Sequence, residues 1–308
     1  IIRFEHPKFS QCSSKNNQRN EWRINRDTQC LGGLFLQPDL ITLFIIASAS
    51  SVAGVLAGML GIGGGIVIVP MLYYLLTYFG FDQSIIMHIA VGTSLFIIIP
   101  TGLRSAFEHS KRGSFDESIF RRWCIPIALG SILGSYFAGI SSFKGLTLLF
   151  ATLASVVSYQ MFISSRKDET LRVIRHPILK SSPFFIGIFS SMMGIGGGNL
   201  SVPIMSYMGV EIKKAIGTSS ALGIVIAVPG SIGFMISGQS VANLPDYSIG
   251  YVNLFYAALI IPLTILFVPV GVRFAHKFQR KRLQTLFSIL LAITAVKMFL
   301  DILSALER

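Results

Sequence analysis

Charge is the scarcest property of this sequence. Asp, Glu, Lys and Arg together supply 13% of its 308 residues, against about a quarter in soluble domains. The chain is 52% hydrophobic, with a mean hydropathy of +0.66. That excludes an ordinary soluble domain and reads as a polytopic membrane protein. Acids are rarer than bases, and the formal net charge is +12. An excess of this sign suits nucleic acid, but Lys and Arg fall in short loops between apolar runs, where they orient a membrane protein. No nucleic-acid partner is expected. Cysteine occurs only at Cys12, Cys30 and Cys124, without metal-ligand or redox spacing; Cys124 lies in an apolar run and reads as a small buried hydrophobe. Neither a nucleophile–base pair, a metal-ligand spacing nor an ATP-binding motif stands out. No enzymatic activity, cofactor or metal is expected.

What the chain does contain is a duplicated glycine break. The stretch Met59-Leu60-Gly61-Ile62-Gly63-Gly64-Gly65-Ile66-Val67-Ile68-Val69-Pro70 returns as Met192-Met193-Gly194-Ile195-Gly196-Gly197-Gly198-Asn199-Leu200-Ser201-Val202-Pro203, with Gly61 to Gly194 and Pro70 to Pro203 both separated by 133 residues. Glycine costs roughly 1 kcal/mol in a helix relative to alanine, so such a block interrupts any helix running through it. In hydrocarbon, the freed N–H and C=O groups persist only where protein or a wet cavity satisfies them. Interrupted helices at matching places in two halves point to a midplane binding site.

Residues 1–39 are polar and mixed in charge and read as a disordered extension. They contain neither an initiator Met nor an apolar signal-peptide core, so a native extension and a mis-started frame both fit. Apolar sequence from Leu40 to Leu60 is long enough to cross a bilayer. Ile66 to Phe79 is short, as a partner helix or a hairpin that dips in and returns would be. Runs at about Ile85–Leu103, Trp123–Ile140 and Gly145–Ile163 complete a first repeat over 40–163. A basic linker, 164–182, carries Arg166, Lys167, Arg172, Arg175 and Lys180, and a second repeat covers 183–308. Gly92-Thr93-Ser94 recurs as Gly217-Thr218-Ser219, and Ile125-Pro126 as Ile261-Pro262. Lys144, Leu146, Leu149, Phe150, Leu153, Met161 and Phe162 align without a gap on Lys281, Leu283, Leu286, Phe287, Leu290, Met298 and Phe299. The duplication spans the whole membrane domain.

Cytoplasmic loops collect Lys and Arg. The connection after the third run of the first half holds Arg104, Lys111, Arg112, Arg121 and Arg122, whereas its counterpart, Gly238 to Gly250, holds no cation. The next connection reverses the bias: Ser141 to Gly145 has Lys144 alone, but Arg273 to Arg282 has Arg273, Lys277, Arg280, Lys281 and Arg282. Equivalent loops therefore face opposite sides. The expected fold is an all-α polytopic bundle of about 8–10 membrane segments, built from two inverted repeats with glycine-broken helices, the linker inside and both termini outside.

The candidate substrate site comprises Gly61, Gly63, Gly64, Gly65 and Pro70 with Gly194, Gly196, Gly197, Gly198 and Pro203. At each block, unpaired N–H groups and the positive end of the following half-helix suit an anion; the competing reading is that small residues let helices pack closely. Thr93, Ser94, Thr218, Ser219 and Ser220 either donate hydroxyls to that anion or bond back to their own helix. Asn199 stands where the other copy has Ile66, so the two blocks are unlike. His88 reads as a proton relay or as hydrogen-bonded structure, and Arg104 with the nearby Glu108 and His109 as anion entry or as orientation. Lys297 and Asp301, four apart, read as a pair on one helix face.

The paired glycine blocks and the two Gly-Thr-Ser elements make the chain similar to the sulfite exporter TauE/SafE family of bacterial membrane permeases over about Leu40 to Leu306. That resemblance implies a multi-pass inner-membrane permease for a small anion: sulfite, an organosulfonate or a related sulfur compound. Alternating access between inverted halves, driven by protons or membrane potential, is the expected mechanism; an anion channel and a non-transporting assembly or anchoring protein are the alternatives. Substrate identity, direction, coupling ion and oligomeric state are not read from the sequence.

The charge bias makes a topological prediction. Single cysteines placed at Arg172 and at Asn243 in a chain without its own cysteines should label from opposite sides of intact cells, Arg172 from the cytoplasm. Labelling of both from one side would refute the inverted arrangement.

Overall fold

A computed structural model describes residues 40–61, 63–166, 178–241, 244–277 and 280–306. Among them are ten helices: α1 (Leu40–Leu60), α2 (Gly65–Tyr78), α3 (Gln83–Ser110), α4 (Glu117–Ile140), α5 (Phe143–Arg166), α6 (Ile178–Met193), α7 (Gly198–Tyr207), α8 (Ile212–Ser237), α9 (Leu254–Lys277) and α10 (Arg280–Leu306). A two-stranded hairpin, β1 (Ser248–Ile249) and β2 (Val252–Asn253), precedes α9. Residues 45–308 form one compact unit; of the other, 1–44, only the first turn of α1 is described. The whole of the expected polar extension, residues 1–39, Asn243 and the linker residues Lys167, Arg172 and Arg175 fall outside the described residues.

Among the described residues, five helices are long and apolar enough to cross a membrane: α1, α3, α4, α8 and α9. With 14 and 10 residues, α2 and α7 rise only about 21 and 15 Å, against a hydrocarbon core of about 30 Å. Each glycine block thus ends one helix and starts a short one. Two helices outrun their apolar stretches because local side chains support the extra turns. Arg104 and Glu108, 3.0 Å apart at i,i+4, carry α3 beyond Leu103, and Asp116 caps α4 by accepting from the Ile119 N–H at 3.1 Å. The outward faces are apolar at helical spacing, as in Ile125, Leu129, Ile132, Tyr136 and Ile140 on α4 and Ile289, Ile293, Val296, Leu300 and Leu303 on α10. A surface so continuous is one that lipid covers.

The halves correspond helix for helix, α1–α5 with α6–α10. At the centre α3 packs on its counterpart α8. Gly92 faces Phe234, Gly102 faces Ile224, and Gly217 faces His109; one number falls as the other rises, so these equivalent helices run antiparallel. The repeats are therefore inverted. Contacts across the boundary are reciprocal, as a two-fold relation requires. On α1, Gly54 lies against Thr264 and Phe267 of α9, while its counterpart Gly187 on α6 lies against Ile127 and Ser131 of α4. Small residues at both crossings let the backbones touch.

A Cβ on Gly54 would stand 2.9 Å from the Thr264 Cα, and one on Gly187 2.9 Å from the Ser131 nitrogen. Gly54→Val and Gly187→Val should therefore each destabilise the protein by about 1–3 kcal/mol, the usual cost of overpacking. Thermal unfolding in detergent checks this, and equal losses are expected because the two crossings are copies of one another.

Candidate functional site

The first break is a left-handed turn. Gly61, Gly63 and Gly64 have φ of +67°, +74° and +82°, a region that costs a residue with a Cβ roughly 1–2 kcal/mol. Gly64 is the N-cap of α2, and its carbonyl accepts from the N–H groups of Val67 and Ile68. Ile98 of α3 packs into this turn: a Cβ on Gly63 would lie 2.7 Å from its Cγ2, and one on Gly65 3.0 Å from its Cδ1. Hydrocarbon seals the first break.

The second break keeps only part of that conformation. Gly194 has φ +65°, but Gly197, the N-cap of α7, is right-handed with φ −54°. The Ser201 N–H donates to the Gly197 carbonyl at 2.8 Å; N–H groups nearer the helix start, those of Gly198, Asn199 and Leu200, have no partner within the helix. Gly194, Gly196, Gly197 and Gly198 are all buried. Opposite them α8 presents Gly223, where a Cβ would lie 3.7 Å from the Gly197 nitrogen and 3.8 Å from the Gly196 Cα. The side chain of Asn199 is outside the described residues. The two breaks adjoin, since a Cβ on Gly65 would meet the Gly194 carbonyl and stand 3.0 Å from the Ile195 Cα.

The Gly-Thr-Ser elements hold the breaks from the opposite repeat. Ser94 donates to the Gly194 carbonyl at 2.7 Å, and its counterpart Ser219 donates to the Gly61 carbonyl at 3.1 Å. Thr93 accepts from the Asn253 N–H at 2.9 Å, and Thr218 accepts from the Asp116 N–H at 2.9 Å. Asp116 and Asn253 are themselves equivalent: each side chain caps its helix, Asn253 by accepting from the Tyr256 N–H at 3.0 Å. Gly92 and Gly217 allow the approach, because a side chain there would meet the Tyr251 and Ser114 carbonyls. The Gly63 carbonyl is also engaged, by Thr101 at 3.3 Å.

This bonding leaves a particular polarity. At each break the first glycine carbonyl is taken by a serine, while the next helix presents its N–H end with about half a positive charge. Such a site favours an anion over a cation. Pro70, buried, and Pro203, half-buried, occupy corresponding positions in α2 and α7; proline has no N–H to return to the carbonyl four residues earlier, so each half-helix is weakened just past its start.

The other candidates stand apart from the breaks. His88 places Nε2 3.2 Å from the Ala138 carbonyl and 3.1 Å from the Ser141 carbonyl, and its ring stacks on Tyr251 at 4.7 Å; it closes the C-terminal end of α4, whose last carbonyls have no helical donor. Arg104 is 40% exposed and paired with Glu108. Lys297 lies over the Tyr74 ring at 4.0 Å, and Asp301 accepts from the Tyr73 hydroxyl. His109 bonds the Gly58 carbonyl at 2.8 Å, and Ser220 bonds the Ile216 carbonyl of its own helix and lies 3.0 Å from the Ser105 hydroxyl. Several participants had no sequence signal: Ser105 donates to the Ala57 carbonyl, and Ser201 and Gly223 face the second break. Applying the repeat to Asp116 would have suggested Asn253; nothing local marks Ser201 or Gly223.

A family model described as sulfite exporter TauE/SafE matches residues 46–298. A probable membrane transporter protein of Haemophilus influenzae is 35% identical over 252 residues, 81% of this chain and 95% of that protein. Another, of Methanocaldococcus jannaschii, is 28% identical over 270 residues, covering 85% of this chain and 97% of its own length. A third, of Bacillus subtilis, is 25% identical over 282 residues, 85% and 98% respectively. No solved structure matches.

The cross-repeat bonds make Thr93 and Thr218 structural as well as polar. Thr93→Val and Thr218→Val should each leave a backbone N–H unpaired and cost about 1–3 kcal/mol, whereas Thr→Ser at either position keeps the acceptor and most of the stability. Melting temperatures of the four purified variants in detergent test this.

Proposed function

Because the chain belongs to the sulfite exporter TauE/SafE family, we propose that this membrane transporter moves a small oxyanion of sulfur, sulfite or an organosulfonate, across the plasma membrane by alternating access between its inverted repeats. The observation that carries this reading is the polarity of the two breaks. Ser94 and Ser219 occupy the carbonyls that would otherwise attract a cation, and the first amides of the following half-helix have no helical acceptor and suit an anion. In this reading Gly194, Gly196, Gly197 and Gly198 line the site, Gly61, Gly63, Gly64 and Gly65 adjoin it through the approach of Gly65 to Gly194, and Thr93, Ser94, Thr218 and Ser219 hold its shape. Inverted repeats meeting at discontinuous helices supply two arrangements of similar energy, one open to each side. The chain carries no ATP-binding motif, so an ion gradient or the membrane potential drives the cycle.

Counterflow in proteoliposomes tests the proposal. Vesicles preloaded with unlabelled sulfite should transiently accumulate labelled sulfite, with saturation on raising its external concentration. Uptake that equilibrates without overshoot or saturation would indicate a channel. Absence of protein-dependent flux for sulfite, taurine and isethionate alike would refute transport of this class.

A further inference from the structure

We propose that only the second break holds the anion, in a neutral pocket made by the N-terminal amides of α7, the Ser201 hydroxyl and the space that Gly223 leaves, and that the first break is a filled structural copy. This deepens the reading of the protein as an anion transporter and rests on it. The repeat provides an internal comparison: Ser201 stands where the first half has Ile68, Gly223 where it has Ile98, and Asn199 where it has Ile66. Ile68 and Ile98 are both fully buried, and Ile98 packs into the first glycine turn. At the second break the same places hold a hydroxyl and no side chain.

Ser201 is the sharpest indication. It is fully buried, and its Oγ has no hydrogen-bond partner. Ser50, Ser51 and Ser220 turn their hydroxyls onto the carbonyl four residues back, at 2.6, 2.8 and 3.1 Å; Ser201 does not. Its Oγ lies instead 3.1 Å from where a Cβ on Gly197 would stand, over the start of α7. Buried hydroxyls are nearly always paired, and an isoleucine in the matching place shows that the half-helix does not need this one. A ligand oxygen lying across the free amides would pair it.

The chemistry of the pocket also selects charge. The atoms nearest to a Cβ built on Gly194, Gly197 or Gly223 belong to Val69, Val91, Ile226, Ser201 and the glycines themselves, none of them a charged residue. The donors are therefore amide and hydroxyl dipoles. The cost of removing an ion from water rises with the square of its charge, and no cation here offsets it. The pocket thus favours a monoanion, bisulfite or an alkylsulfonate, over a dianion such as sulfate.

Calorimetric titration of the purified protein in nanodiscs, with methanesulfonate and with sulfate as probes, tests each part, and melting without ligand reports folding. Methanesulfonate should bind at least about tenfold more tightly than sulfate, a difference of 1.4 kcal/mol or more. Ser201→Ala should weaken methanesulfonate binding by about fivefold or more through loss of one donor. Gly223→Ala, whose Cβ meets only ordinary contacts, should weaken it by about tenfold while the protein still folds. Ile98→Ala, which opens the first break, should leave affinity within about twofold despite a lower melting temperature. If Ser201→Ala and Gly223→Ala fold and bind like the parent, the assignment to the second break is wrong and the anion reading stands. Binding of neither probe by the parent overturns both. Sulfate binding as tightly as methanesulfonate overturns the selection of a monoanion.

Discussion

A glycine break inside a membrane frees backbone groups that lipid cannot satisfy, and here each break depends on the opposite repeat for that satisfaction. Ser94 and Ser219 reach across to the first glycine carbonyl of the other block, and Thr93 and Thr218 hold the N–H of the residue that caps the other repeat's fourth helix. Neither repeat could keep its interruption alone. The antiparallel packing of α3 on α8 follows from the same requirement, because only that register brings both Gly-Thr-Ser elements to both breaks. Close approach at Gly54 and Gly187 supports it from the periphery.

Reciprocal bonding also bears on how such a protein moves. A hydroxyl-to-carbonyl bond ties the repeats at the site itself, so a rocking motion of one repeat on the other must alter the geometry of the breaks directly. Coupling between binding and motion then needs no long relay. His88, closing the end of α4 beside Tyr251, and the Arg104–Glu108 pair lie on the same central helix α3. Their partners are other protein groups, not the glycine breaks.

Departures from the two-fold relation are as informative as its observance. Gly64 is left-handed and Gly197 right-handed although both are N-caps at matching positions. The first turn is packed by the Ile98 side chain, and its counterpart Gly223 has no side chain to pack the second. Duplication gives two identical breaks at the outset, and one can become scaffold once the other binds. Functional sites are where local consistency is expected to fail, and the unpaired buried hydroxyl of Ser201 beside the start of α7 is such a failure.

Much of this was legible without coordinates. Glycine density, apolar run length and loop charge are local signals, so the sequence by itself determined the membrane class, the two interrupted helices, the repeat and its inversion. It also marked the glycines and the Gly-Thr-Ser elements as candidates together, since both recur once in each half. What only the tertiary structure decided is which groups meet: that Ser94 faces Gly194 and not its own block, that Asp116 and Asn253 are held from across the boundary, and that Ser201 has no partner opposite Gly223. The physical reason is range. Helical periodicity says which side of a helix a residue occupies, but hydrogen-bond partners on another helix depend on crossing register, and a shift of one turn, about 5.4 Å, exchanges every one of them.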